Sequence, residues 1–154
     1  VFENAFPSGR LNAGGMSFSS VGIRAARGNR IFAFANVPGS SDQGILEHAG
    51  GGWNLAVGNA NPMPDGSINV GIGSWDVNPQ GEIAFVIQSA TPLSMIVRTA
   101  SGELRQVISM LEPMPSGEYL QSIRDVHIRD DGRIVFTAFE STGRFALYVA
   151  EPLP

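Results

Sequence analysis

Three stretches of this chain are almost unbroken apolar runs: Ile31 to Val37, Ile83 to Ile87 and Ile134 to Phe139. A strand in a sheet that is wet on one side alternates apolar and polar residues, whereas a strand buried on both faces reads as continuous. The runs therefore predict strands in small sheets covered above and below. Around each run, shorter apolar groups are separated by Gly, Pro, Asn and Asp, which predicts further strands joined by turns.

The runs are copies of one another. Gly81-Glu82-Ile83-Ala84-Phe85-Val86 recurs 51 residues later as Gly132-Arg133-Ile134-Val135-Phe136-Thr137, and 51 residues earlier as Arg30-Ile31-Phe32-Ala33-Phe34-Ala35. The same offset aligns Gly44 to His48 with Met95 to Thr99 and with Ala146 to Ala150. It also aligns Trp53 to Val57 with Leu104 to Ile108, and Met63 to Gly66 with Met114 to Gly117. Repeated agreement at one offset means duplication, with a period in the range of propellers and arrays.

Each copy is predicted to hold four short strands. The first lies at Val21 to Ala25, Gly73 to Val77 and Arg124 to Ile128; the second carries the Phe; the third is of the Ile96-Val97 type and the fourth of the Val107-Ile108 type. Asn78-Pro79-Gln80-Gly81 and Arg129-Asp130-Asp131-Gly132 read as hairpin turns closed by a Gly, and Ser101-Gly102 and Gly51-Gly52 as tight turns between strands three and four.

The fold class is all-β. A β-propeller-like stack of three four-stranded antiparallel blades of about 51 residues is the first expectation. A β-trefoil, also three four-stranded repeats and of suitable length, is the alternative; two-sided apolarity of the second strands speaks for the propeller. One repeat domain is expected over 1–154, with 1–15 the tail of a fourth strand plus a linker. The repeats fall at 16–66, 67–117 and 118–154, the last without its own fourth strand. Propellers typically need four to eight blades. Three predict either two chains completing a six-bladed ring or a piece of a longer propeller, with Val1 to Gly9 completing the last blade. A chain opening on Val1 is expected to be a processed protein or a fragment.

The stretch Asn78-Pro79-Gln80-Gly81-Glu82-Ile83-Ala84-Phe85 fits N-x-x-G-x-x-A-F. It resembles the tandem repeat of bacterial proteins known by that signature, which are mostly exported or anchored at the surface. The third copy keeps Gly132 and Phe136 but has Arg129 and Val135 for the Asn and Ala; the first keeps Ala33 and Phe34. The resemblance implies a propeller-like fold and a secreted or cell-surface location. It brings no catalytic residues with it.

Composition narrows the chemistry. Charged residues are only 16% of the chain and hydrophobic residues 43%, with 19 Gly and 10 Pro spread throughout. Breakers at that density disfavour helices, since an interior Pro costs about 3 kcal/mol. A net charge of −4 argues against a nucleic-acid partner. There is no Cys, hence no disulfide framework. No apolar run reaches the roughly 20 residues of a membrane span.

No hydrolase, kinase, dinucleotide or zinc motif occurs, so no catalytic residue, cofactor or metal is assigned. The two His, at 48 and 127, are too few for most His-based metal sites. First strands line the channel of a propeller. On that basis Trp75, Asp76, His127, Arg24 and Arg124 are expected to converge at one end, where a ligand would bind. The competing reading is that they fill the channel or pair with one another. Trp53 and Tyr119 are the expected exposed aromatics. Two functions follow: a non-catalytic exported module for protein–protein interaction or self-assembly through open strand edges, or a module binding or acting on polysaccharide at the channel mouth.

Overall fold

The computed structural model describes residues 11–13, 16–18, 20–39, 43–58, 63–64, 71–88, 93–110 and 112–151. All the regular structure among them is β. The chain divides into two compact units, Val1–Asn61 and Pro62–Pro154.

The first unit holds a hairpin of β1 (Leu11–Ala13) and β2 (Met16–Phe18), and a four-stranded sheet of β3 (Ser20–Arg27), β4 (Arg30–Asn36), β5 (Gln43–Ala49) and β6 (Gly52–Gly58). Residues 11–13, expected in a linker, thus form a strand of their own hairpin. Phe18 and Ala13 pack on Ala33, Ala35 and Leu46 of the sheet, with Trp53 and Leu55 at the margin. Gly44 permits this approach: a Cβ there would lie 3.3 Å from the Phe18 ring and 2.9 Å from Leu55. Arg30 Nε donates to Glu47 Oε1 at 2.5 Å, pairing two partly buried charges across β4 and β5.

The second unit holds two sheets. One has β7 (Ile72–Val77), β8 (Ile83–Ile87), β9 (Ser94–Arg98) and β10 (Leu104–Ser109) in chain order. The other has β11 (Leu120–Ile128), β12 (Ile134–Glu140) and β13 (Phe145–Ala150). All pairings are antiparallel between chain neighbours. These are open up-and-down meanders. Among the described residues no strand pairs with a strand of another repeat, as closing a trefoil barrel would require. Each repeat places its strands where the 51-residue period puts them, with the first strand at one sheet edge.

The turns explain part of that regularity. At Asn78–Gly81, Thr99–Gly102, Met114–Gly117, Arg129–Gly132 and Glu140–Gly143 the fourth residue's N–H donates to the first residue's carbonyl at 2.7–3.0 Å. In each case the closing residue is a Gly with φ between 81° and 94°. That left-handed conformation is costly for any residue with a Cβ.

The two sheets share one core. Ala84, Val86, Met95 and Val97 on one side pack with Leu120, Ile123, Val126, Ile128, Ile134, Phe136 and Ala138 on the other. Phe136 stacks on Tyr148, with ring centroids 5.4 Å apart. β8 is buried along its whole length, as its unbroken apolar run predicts. β12 is not: Val135 and Thr137 are half-buried and Phe139 is exposed. The expectation that every second strand is covered on both faces is therefore corrected for the third repeat.

A register detail lies behind the faces of that sheet. Ala84 pairs with Val97, and its copy Val135 pairs with Val149, 52 rather than 51 residues beyond Val97. A shift of one residue exchanges the faces of a strand. Phe145, Leu147 and Val149 consequently lie opposite Phe139, Thr137 and Val135, while Tyr148 and Ala150 turn to the core.

Candidate interaction surface

We call the side of β7–β10 that meets the next sheet its forward face. Ser74, Asp76 and Asn78 sit at alternate positions along this side of β7 and its turn. β11 is an edge strand, so N–H groups on its outer side lack a strand partner. Val126 N–H donates to Ser74 Oγ at 3.0 Å, and Ile128 N–H to Asp76 Oδ2 at 3.2 Å. Asn78, which is buried, does two jobs. Its Oδ1 accepts from Glu82 N–H at 3.0 Å, closing its own turn. Its Nδ2 donates to Glu82 Oε2 at 2.7 Å and to the Arg129 carbonyl at 3.3 Å, in the matching turn of the next repeat. The Asn and Gly of the N-x-x-G stretch thus have distinct roles: Gly81 shapes the turn, and Asn78 ties that turn to its successor.

The forward face of β11–β13 carries the copies of these residues, and none is kept. Ser74, Asp76, Asn78 and Ala84 become Asp125, His127, Arg129 and Val135. Asp125 takes φ of 47° in a bulge of β11, and its Oδ2 lies 2.9 Å from Thr137 Oγ1 within its own sheet. His127 and Arg129 are exposed. Residues on the opposite face are retained as apolar: Val77, Ile83 and Phe85 correspond to Ile128, Ile134 and Phe136, and the latter three pack on the β7–β10 sheet. The third repeat keeps its backward half and has changed its forward half.

That changed face is apolar and exposed. Phe139 is 40% exposed, Phe145 55%, Leu147 68% and Val149 58%. With Val135 and Thr137 they make a two-strand stripe over β12 and β13, bordered on β11 by Ser122, Arg124 and His127. Contiguous apolar surface of this kind marks interaction sites.

A buried carboxylate fixes the strand that bears it. Glu140, at the end of β12, is fully buried. It accepts from Arg144 Nε at 2.6 Å and Arg144 Nη2 at 2.8 Å, and also from the Tyr148 hydroxyl. The Arg144 guanidinium first, then the Tyr148 hydroxyl, hold its carboxyl down to about 2, against the opposing effect of burial. The Arg144 guanidinium is pushed up in return, and burial with the nearby carboxylate raises the Tyr148 phenol. Ser141 Oγ donates to Glu118 Oε2 at 2.7 Å, pinning the same turn to the segment ahead of β11.

Of the residues in the second unit expected to converge on a ligand, Asp76 and His127 meet. His127 Nδ1 lies 3.6 Å from Asp76 Oδ2. Asp76 is already committed to the Ile128 N–H, so the pair is accounted for as part of the sheet contact. Trp75 is buried and pairs with Phe85, whereas Asp76 pairs with Ala84, so strand alternation sends Trp75 to the opposite face. Arg124 is exposed at the β11 bulge, and Arg24 is exposed on β3 of the other unit. Tyr119 is exposed as expected; Trp53 is half-buried, edge-on to His48 at 5.2 Å. Val1 to Gly9 lies outside the described residues. The ties that Ser74 and Asn78 make to the next sheet were not expected from the sequence, where Asn78 stands out only as a turn and signature residue.

Pockets add little. A cavity of about 110 Å³ lined by Glu82, Thr99, Arg105 and Glu151 among others is small for a ligand, and larger hollows of about 290 Å³ over Arg129 to Asp131 and about 410 Å³ over Ser116, Glu118, Glu140, Thr142 and Arg144 lie open to solvent and are not the enclosed apolar kind that holds small molecules. Among the described residues no group of three or more His, Asp or Glu is placed to hold a metal. No helix among them is long and apolar enough to cross a membrane.

No family model and no curated protein matches the chain. Among solved structures it is similar to one from a study of two prolyl endopeptidases, at 15% identity and a TM-score of 0.47, over 88% of this chain and 28% of that one. It is also similar to an endo-arabinase from Bacteroides thetaiotaomicron, at 15% identity and a TM-score of 0.42, over 86% of this chain and 55% of that one. Likeness at this level assigns no activity.

Proposed function

We propose that the chain is a non-catalytic module of an exported, propeller-type β-repeat protein that works by binding protein, its own kind included. The observation that carries the reading is the exposed apolar stripe of Phe139, Phe145, Leu147 and Val149, on a sheet whose neighbour has its matching face covered. The N-x-x-G-x-x-A-F stretch at Asn78 to Phe85 supports the propeller-type repeat and the bacterial cell-surface or secreted setting. The rival, a polysaccharide site built on Trp75 and Asp76, is disfavoured because these side chains lie on opposite faces of β7 and Asp76 is engaged with Ile128.

A glycan array decides between the two. The wild-type chain is expected to retain no glycan. Retention of a glycan that is lost in Asp76→Ala but kept in Leu147→Asp would overturn the proposal. A dye that fluoresces on apolar surface supplies the positive arm: it should bind the native protein and bind Leu147→Asp more weakly.

A further inference from the structure

We propose that the β1–β2 hairpin is a stop. It fills, on the first sheet, the seat that a preceding sheet fills on β11–β13, and so keeps a sheet of another copy from stacking there. The device lies in the first unit and does not involve the stripe on β12 and β13. Three observations carry it.

The first is which face the hairpin covers. β11–β13 meets its predecessor through the face that carries Ile128, Ile134 and Phe136. Register sets the corresponding face of the first sheet. Ala25 and Asp76 are copies 51 residues apart, at like places beside their turns. Asp76 pairs with Ala84, but Ala25 pairs with Phe32, which is 52 residues before Ala84. Directly paired residues share a face, so Phe32 takes the place of Ala84 and Ala33 the place of Phe85. Ala33, Ala35 and Leu46 therefore lie on the face that corresponds to Phe85 and Phe136. That is the face on which Phe18 and Ala13 sit.

The second is the fit. Where the other two sheets carry Phe85 and Phe136, the first carries only Ala33, and the fully buried Phe18 supplies the ring from the hairpin. Gly44, paired with Ala35, deepens the hollow: a Cβ there would stand 3.3 Å from the Phe18 ring. Ile134 and Phe136 project from their sheet into the facing one. Ala33, Ala35 and Gly44 cannot project in that way. A face hollowed like this suits a peg on a narrow hairpin better than the flat contact of two sheets at about 10 Å.

The third is the length of chain that precedes the sheet. Phe6-Pro7-Ser8-Gly9 matches Met114-Pro115-Ser116-Gly117 and Met63-Pro64-Asp65-Gly66. From Gly9 to β3 there are ten residues, 10–19. From Gly66 to β7 there are five, 67–71, and from Gly117 to β11 two, 118–119. The extra length of the first repeat is where β1 and β2 form. Stacked repeats need an element of their own to cover a face that would otherwise take another repeat.

Thiol labelling and sedimentation test this together. Because the chain has no Cys, Ala33→Cys places a single thiol beneath the hairpin, at a fully buried position. A maleimide should label it slowly in that parent. Labelling should be at least about tenfold faster when Phe18→Ser removes the peg or Gly44→Val fills the hollow, since either eases local opening. Without the added thiol, the Phe18→Ser and Gly44→Val chains should associate at concentrations at least about tenfold below the wild type, across about 5 to 500 μM. Both should keep the wild-type circular dichroism spectrum.

Labelling as fast in the parent as in the two variants overturns the proposal, because the hairpin then does not guard the face. Faster labelling with no gain in association overturns it too, because the hairpin then holds nothing off. Loss of the cooperative melt in both variants has the same force: the hairpin would be part of the sheet's own core and not a removable cover.

Discussion

The forward faces of the two sheets in the second unit derive from one repeat and have opposite fates. On β7–β10 the face is covered, anchored by Ser74, Asp76 and Asn78, and floored by Ala84. On β11–β13 the same positions are open, the anchors have been replaced, and larger apolar residues stand proud. A repeat of this kind therefore has two separable halves. The backward half of Ile, Phe and Gly makes a sheet that can be received. The forward half of Asn and Ala makes one that can receive.

The sharpest way to break this comparison is to remove equivalent bulk from its two sides. Phe136→Ala empties a fully buried position and should cost about 3–5 kcal/mol in urea denaturation. Phe145→Ala, on the open stripe of the same sheet, should cost less than about 1 kcal/mol. Equal losses would mean that the stripe is buried.

The anchors come next. Asn78→Ala leaves the Glu82 N–H and the Arg129 carbonyl without their side-chain partner and should destabilise by about 1–3 kcal/mol. Asp76→Ala strands one backbone N–H and should cost about 1 kcal/mol. The copies of these residues should be almost silent: Arg129→Ala and His127→Ala are expected within about 0.5 kcal/mol of wild type by thermal melting. A large effect at His127 would restore the ligand-site reading of the Asp76–His127 pair.

Acid gives a finer probe, specific to the open sheet. The Glu140 carboxyl is held down to about 2, below its ordinary value of 4.5, by Arg144 and Tyr148. A lowered folded value means stability that is present above about 4.5 and is lost as pH falls toward 2. Stability measured by denaturant titration should decline through that window, and Glu140→Gln should flatten the decline while lowering stability at neutral pH. If the slope is unchanged in Glu140→Gln, other carboxylates govern the acid limb.

Much of the fold was legible because its regularities are local. The 51-residue period, the turn glycines and the unbroken run at Ile83 to Ile87 are properties of short windows, and the sheets follow them. The faces of the third sheet were not legible for one reason: the register slips by one residue across the Glu140–Gly143 turn, which inverts β13 against a simple alignment. Of the site, the nearness of Asp76 and His127 could be read from their matching place in the period. The separation of Trp75 from Asp76 could have been read from strand alternation alone. Asn78 was visible as a motif residue, but its role depends on a partner 51 positions away and emerges only when the two turns are seen side by side.

The five matching turns also govern how the chain assembles in time. Every strand of a meander pairs with the one just made, so each sheet closes over short loops and is complete within its own stretch of chain. The ties between sheets, Ser74 to Val126, Asp76 to Ile128 and Asn78 to Arg129, span 51 or 52 residues and form only after both sheets exist. Loss of the Asp76 carboxylate should thus leave the folding rate nearly unchanged and appear as faster unfolding, because its tie to Ile128 belongs to docking after the sheets are built. In the second unit the β7–β10 sheet is finished first, and its forward face stays open until β11–β13 arrives.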